Sequence, residues 1–351
     1  RSFGPPSPAS GRGEDSGKAA LRGPLVRLRE SEGLQSPVFG RPPCRSPKSA
    51  ERSFVTFAAA PTRRQLLPFY FLAPALLVEL AIIFYPVIQT TWMSLFDFVL
   101  FRPNNSPFIG FGNFVRAFTD PVFWLSLGNS AIWIVGVVAV QFLLGLGTAL
   151  LLNQSFWWRG LARALVVIPW ALPSVIIGLM WTWMYDYNLG VINDLLLRLH
   201  IISAPIAWLA RPDTTLPSIM LALIWQGFPF FAVTILAGLQ TVPAEQLEAA
   251  EIDGANALQR LVSVVLPSIA EVLATVLLLR TIWVANSLDV ILVMTGGGPG
   301  YASYTLPLYA FLKAYSGMEF GYGAALSLIL TVLLLAVVYL YVRRVSRAEA
   351  T

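Results

Sequence analysis

"LPSIMLALIWQGFPFFAVTILAGLQTVPAEQLEAAEIDGANALQRLVSVVLP" (residues 216–267) changes character twice along its length. Its first part, 216–239, is uncharged and apolar, and is long enough to cross the roughly 30 Å hydrocarbon layer as an α-helix rising about 1.5 Å per residue. The next part places Glu245, Glu248, Glu251 and Asp253 around a pair of alanines, and apolar residues then return ahead of Pro267. Working outward, further apolar runs lie at 67–91, 130–152, 164–185, 268–294 and 322–342. Backbone groups in lipid must satisfy one another, and no alternating strand pattern is present. These runs therefore predict an all-α fold, a polytopic membrane bundle of about six transmembrane helices.

Composition agrees. Of 351 residues, 56% are hydrophobic and 12% charged, and the mean hydropathy of +0.67 excludes a soluble domain. A transporter, a channel and an intramembrane enzyme stay open on these grounds. The net charge of +5 does not point to nucleic acid, because the basic residues gather in the first 64 positions and beside the spans. Cys44 is the single cysteine and His200 the single histidine. An intrachain disulfide, a zinc site of several thiolates and a histidine relay are thereby excluded, so no metal or cofactor is expected.

Residues 1–62 are rich in Pro, Gly, Ser and Arg and lack apolar periodicity, which predicts a disordered cytoplasmic tail. No apolar stretch before Leu66 suits a secretory leader. Residues 63–345 form the membrane domain and 346–351 a short C-terminal tail. With both termini cytoplasmic, Arg63, Arg64, Arg159, Arg163, Arg260, Arg343, Arg344 and Arg347 fall inside. Arg102, Arg116, Arg198, Arg211 and Lys313 fall outside. This bias places the polar insert, 243–266, in the cytoplasm.

Within the insert, Pro243 suits a helix start, Glu245 and Glu248 sit near its positive end, and Gly254 suits a left-handed stop after Asp253. A second helix would carry Leu258, Leu261, Val262 and Val265 on one apolar stripe. Ala249 and Ala250 leave a low surface flanked by Glu248, Glu251 and Asp253. Such a segment is either an amphipathic connection lying on the membrane or a docking surface for another protein.

The run Glu248, Ala249, Ala250, then Gly254, then Val264, Leu266 and Pro267 resembles the EAA signature of permease subunits of binding-protein-dependent ABC importers, with Val for the usual Ile. "FIGFGNFVRAFTDPVFWLSLGNSAIW" (108–133) and "SLDVILVMTGGGPGYASYTLPLYAFLKAY" (287–315) with "FGYGAALSLIL" resemble the sugar permeases of that class. The likeness extends over roughly residues 64–345. It implies a type I importer permease, located in the inner membrane, that itself catalyses no reaction. Its implied partners are a second homologous permease, two ATPase subunits and an extracytoplasmic solute-binding protein, beside membrane lipid. The implied substrate is a carbohydrate such as trehalose or maltose, or alternatively glycerol phosphate. Glu248, Ala249, Ala250, Asp253 and Gly254 would couple to the ATPase. Alignment on the family's features further implies a substrate site of Trp170, Ser174, Gln226, Gly227, Phe230, Arg280, Val284 and Ser287. Arg280 departs from the small polar residue expected at its position, and could bind substrate, pair with an acid or close the route.

Polar residues inside spans are costly in lipid. Arg280 lies roughly two turns from Asn286, Ser287 and Asp289, which would let the four line one cavity. "TGGGPG" (295–300) lacks the GK[ST] ending of a phosphate loop and reads as a tight turn, with Pro299 ending a helix. A gradient-driven secondary transporter is the main alternative, but it would call for deep carboxylates in related halves, and Glu79 is the one deep candidate.

Overall fold

The computed structural model describes residues 63–102 and 106–348, with side chains described between 70 and 344. The N-terminal tail expected over 1–62 lies outside the described residues. The described part is helical, with only two isolated bridges, Phe96 to Phe108 and Val99 to Glu319. Five helical segments are long and apolar enough to cross a membrane, or six when a bent pair counts as one.

The first crossing runs through α1 (Arg63–Glu79), a π-helical turn (Leu80–Phe84) and α2 (Tyr85–Ser94). Glu79 ends α1 with an exposed side chain, and the apolar window of this crossing buries nothing. Asn113 on α3 (Gly112–Thr119) donates to Ser94 O at 2.8 Å and Phe96 O at 2.9 Å, tying α3 to the end of α2. α4 (Pro121–Asn153) begins nine residues earlier than the apolar run at 130 indicated. The reason is local: Asp120 accepts from Val122 N and Pro121 fills the first helical position, a start signal that outweighs the weaker hydropathy there.

The third crossing departs most from expectation. Instead of one span over 164–185 there are α5 (Arg159–Ala171) and α6 (Ser174–Met184), set at 95°. Leu172 precedes Pro173 and is extended at φ −82°, ψ 137°, as the proline ring demands of its neighbour. After α7 (Val191–Arg198), α8 (Pro212–Leu239) returns through the bundle centre and is the most buried helix. Then come α9 (Ala244–Ile252), α10 (Ala257–Arg260), a second π-helical turn (Leu261–Val265) and α11 (Leu266–Ser268). The fifth crossing divides into α12 (Ala270–Asn286) and α13 (Asp289–Met294), broken at Ser287. α14 (Leu306–Tyr315) and α15 (Phe320–Ala348) complete the chain.

A bundle in lipid gains little from burying one apolar face against another, so polar side chains and close packing hold it. Trp133 on α4 donates to Val284 O on α12 at 3.1 Å. Gln141 on α4 donates to Leu223 O on α8 at 2.7 Å, and Tyr185 to Ser218 O at 3.1 Å. The main apolar core, around Trp133, Ile177, Ile219, Phe231, Ile235 and Ile291, joins α4, α6, α8, α12 and α13. A second core of Phe123, Leu306, Tyr309, Tyr322 and Leu326 joins α4, α14 and α15.

Candidate functional site

Where α5 breaks into α6 and α12 breaks before α13, a cavity of about 480 Å³ opens against α8. Both breaks remove regular backbone pairing at membrane depth, which is tolerated where the chain lines a cavity. Trp170 and Ser174 stand on either side of the first break; Asn286, Ser287 and Asp289 surround the second. Gln226, 9% exposed, projects from α8 and donates to Leu172 O at 3.2 Å and Ser174 Oγ at 3.4 Å. That bond occupies a carbonyl that the break leaves without a helical partner.

Arg280 is 7% exposed and lines the same cavity. Its Nε donates to Gln141 Oε1 at 2.7 Å. Among the described residues no carboxylate lies within ion-pair distance of it, so of the roles open to it in the sequence, pairing with an acid is set aside. Gln141 passes the interaction on to Leu223 O, which links α12, α4 and α8 through one chain of bonds. Gly227 makes this possible: a Cβ there would stand 1.8 Å from Arg280 Nη2 and 2.2 Å from Gln141 Nε2.

Of the eight residues expected at a substrate site, Trp170, Ser174, Gln226, Arg280, Val284 and Ser287 line this cavity. Gly227 and Phe230 do not; both belong to the layer behind the wall. Phe230 packs its ring 5.9 Å from Trp170 and 5.1 Å from Trp283. Trp283, a lining residue one turn from Arg280, and Gln141, which bonds Arg280, were not among the expected residues; the one signal for Gln141 was a polar residue in an otherwise apolar run.

The polar insert forms a separate feature. α9 buries none of its residues. Helix formation starts at Ala244, with Pro243 just outside at φ −62°, ψ 132°. It stops at Gly254, φ +80°, where Gly254 N donates to Glu251 O at 3.0 Å and Ala255 N to Ala250 O at 2.9 Å. This pair of bonds is the left-handed glycine cap, open to glycine without steric cost. Asn256 then caps α10 reciprocally with Gln259, at 2.9 Å and 2.8 Å. Arg260 bonds Glu251 at 2.8 Å across the corner. The apolar stripe expected on the second helix is only partly covered: Leu258 and Val262 are 68% and 55% exposed, while Leu261 and Val265 are half-buried. The π-helical turn over Leu261–Val265 rotates the later residues away from a regular stripe.

The turn at 295–300 holds Gly296, Gly297 and Gly300 at positive φ, and α13 has already ended at Met294, ahead of Pro299. His200 is an exposed turn residue. Among the described residues no group of three His, Cys, Asp or Glu is placed to hold a metal.

Comparison with known proteins adds the ancestry. Residues 141–348 match the family model described as the binding-protein-dependent transport system inner membrane component. The trehalose/maltose transport system permease protein MalF of Thermococcus litoralis is 39% identical over 287 residues, covering 81% of this chain and 96% of the relative. The sulfoquinovosyl glycerol transport system permease protein SmoG of Agrobacterium fabrum is 37% identical, covering 80% and 90%. A crystal structure of a bacterial ABC transporter involved in import of the acidic polysaccharide alginate shares the fold, with a TM-score of 0.71 at 20% identity over 81% of this chain and 96% of that one. With the family model matched over more than half its length, the chain belongs to the inner membrane components of binding-protein-dependent transport systems, as a multi-pass ABC permease subunit that carries solute rather than transforming it.

Proposed function

We propose that this permease serves an ATP-driven importer of a carbohydrate, with a di- or oligosaccharide as its substrate. The observation that carries this reading is the cavity itself. It sets the rings of Trp170 and Trp283 beside the amides of Gln226 and Asn286, the hydroxyls of Ser174 and Ser287, and the charges of Arg280 and Asp289. A sugar presents apolar C–H faces suited to aromatic rings, and hydroxyl groups suited to amide and charged partners. The names of the Thermococcus and Agrobacterium relatives, which pair sugar-containing solutes with the same kind of subunit, support it. Trp170, Ser174, Gln226, Arg280, Val284 and Ser287 would face the substrate, with Gly227 and Phe230 supporting them. Arg280, a cation in the cavity without a carboxylate partner, favours glycerol phosphate as the second reading.

In this mechanism α9 is the seat for a separate ATPase subunit, with Ala249 and Ala250 against the partner and Glu248, Asp253 and Gly254 setting its register. The corner from α9 to α10 is stiffened by the Gly254 cap, the Asn256 box and the Arg260–Glu251 pair. A stiff corner transmits a rigid-body push where a floppy loop would absorb it. The push passes along α12 to Arg280, and from there into α4 and α8. A second homologous permease would complete the pathway, two ATPase subunits would drive it, and an extracytoplasmic solute-binding protein would deliver the sugar. Both termini and the α9 segment would be cytoplasmic, as the basic residues beside the spans suggest.

The test is sugar uptake by reconstituted vesicles, together with crosslinking from Ala249→Cys. Uptake is expected to require ATP inside the compartment that α9 faces, and the crosslink to reach the ATPase. Uptake that persists without the ATPase subunits and collapses with an uncoupler would instead establish gradient-driven transport.

A further inference from the structure

At the α9 end of the bundle, a cavity of about 330 Å³ lies between the ends of α4, α5 and α8. Its lining includes Leu152, Val167, Val233 and Ala237, with two polar contributions, Arg163 and Gln240. Arg163 is poorly served there. Its Nη2 makes one long bond of 3.4 Å to Leu152 O, and its Nε is buried without a partner. No carboxylate lies within ion-pair distance of it among the described residues. A buried donor on a charged group, left unsatisfied, forfeits the hydration it had in water without a bond to replace it.

Leu152 also forms part of a second cavity, of about 320 Å³, which includes Phe156, Trp158 and Val166 and is almost wholly apolar. Trp157, the chain neighbour of two lining residues, is 95% exposed, and Arg159 opens α5 one turn before Arg163. Leu152, Gln240 and Arg163 all sit within about a turn of a helix end, where a crossing would pass from hydrocarbon to headgroups. An exposed tryptophan at that level is an interfacial anchor.

We propose that these two cavities form a binding site for one anionic phospholipid. Its phosphate would accept from the guanidinium of Arg163, which lines the cavity, and from Arg159, and its acyl chains would lie against Val167 and Val233 on one side of Leu152 and against Val166 on the other. Basic pockets between transmembrane helices take anionic headgroups in this way. The aliphatic walls distinguish a lipid from a free phosphate ion, which would gain nothing from them. The site clasps the last turn of α8, and Gln240 leads from that turn directly into α9. A bound lipid would therefore stiffen the root of the α9 segment. The lipid site does not depend on which solute is carried.

The experiment uses the intact complex as it purifies, exchanged into mixed micelles of equimolar phosphatidylglycerol and phosphatidylethanolamine, with retained lipid quantified by mass spectrometry. One basic residue at the surface contributes about 1 kcal/mol, so phosphatidylglycerol should be retained about fivefold over phosphatidylethanolamine. Arg163→Gln should bring the ratio to near parity, and Arg163→Lys should keep most of it. Ala237→Trp fills the cavity while leaving the charge, and should abolish the preference even if Arg163→Gln fails to fold. Equal retention of both lipids by the unaltered complex would overturn the proposal, as would a preference untouched by Ala237→Trp. Displacement of the lipid by excess inorganic phosphate would instead mark a free-anion site. A photoreactive residue at Val233 should label lipid, and labelling of a polypeptide there would show a protein interface in its place.

Discussion

At the end of the bundle that holds α3 and α14, Asp120 accepts hydrogen bonds from Tyr309 and, at 2.8 Å, from Tyr322. Arg116 pairs with Glu319 at 2.6 Å and lies 4.1 Å from the centre of the Tyr322 ring, while Lys313 reaches Glu319 at 3.6 Å. Four elements are thus laced together over the second apolar core. At the opposite end α9 buries no residue and is held chiefly by its own caps and one ion pair. The contrast teaches where each end finds its stability. The α3–α14 end closes on itself, whereas the α9 end keeps a stiff but unburied helix.

Substitution at the turn of the unburied helix should have the largest effect on transport. Gly254 has open space around its Cβ position but φ +80°, so Gly254→Leu strains only the backbone, by about 1–2 kcal/mol. The protein should still insert, while uptake falls about tenfold or more because the corner loses its geometry. Parallel assays of uptake and ATP hydrolysis would check this, and normal uptake would remove the case for coupling through α9. Between the two ends, Gln141→Leu leaves Arg280 without its bonded partner and should lower stability by about 3 kcal/mol. A thermal melt of the detergent-solubilised complex would read the loss.

The laced end offers a pH test. Burial alone would raise the Asp120 carboxyl, but the hydroxyls of Tyr309 and Tyr322 and the Val122 amide outweigh it and hold its pKa below the ordinary value. A depressed carboxyl stabilises the fold above its unfolded pKa of about 3.9, and that contribution is lost as pH falls through the lower folded value. Melting temperature should therefore drop less between about pH 5 and pH 2 in Asp120→Asn than in the unaltered protein, while at neutral pH the variant should be less stable by about 1–2 kcal/mol. Equal acid sensitivity of the two would mean that the carboxylate does not lace this end. The smallest effect belongs to Arg198→Ala, which removes an exposed pair with Asp194 on α7. It should change stability by no more than about 0.5 kcal/mol and leave uptake unaltered.

Much of this arrangement was legible in residue order. Apolar length placed five of the apolar crossings, the run at 164–185 being the exception, and the spacing of Arg280 from Asn286, Ser287 and Asp289 was enough to put all four on one cavity. Gly254 after Asp253 was readable as a helix stop because left-handed backbone is nearly reserved for glycine. Other features left weaker traces. Pro173 is a residue that interrupts a helix, yet a bend of 95° depends on how α5 and α6 pack against α8 and α13. Gly227 carried no sign that the space it leaves is filled by a guanidinium arriving from another helix. Asp120 gave no hint of its two phenol partners, which lie far along the chain on α14 and α15.

Membrane residence, the helical class and the position of the polar insert along the chain were determined by sequence alone, because they follow from hydropathy, length and local backbone preference. The cavity at the two broken crossings, the Arg280–Gln141 link and the unsatisfied Nε of Arg163 were decided only by tertiary structure. These depend on side chains from distant helices meeting at one depth, and in lipid that meeting is governed by packing and hydrogen bonding rather than by any periodicity a single helix can display.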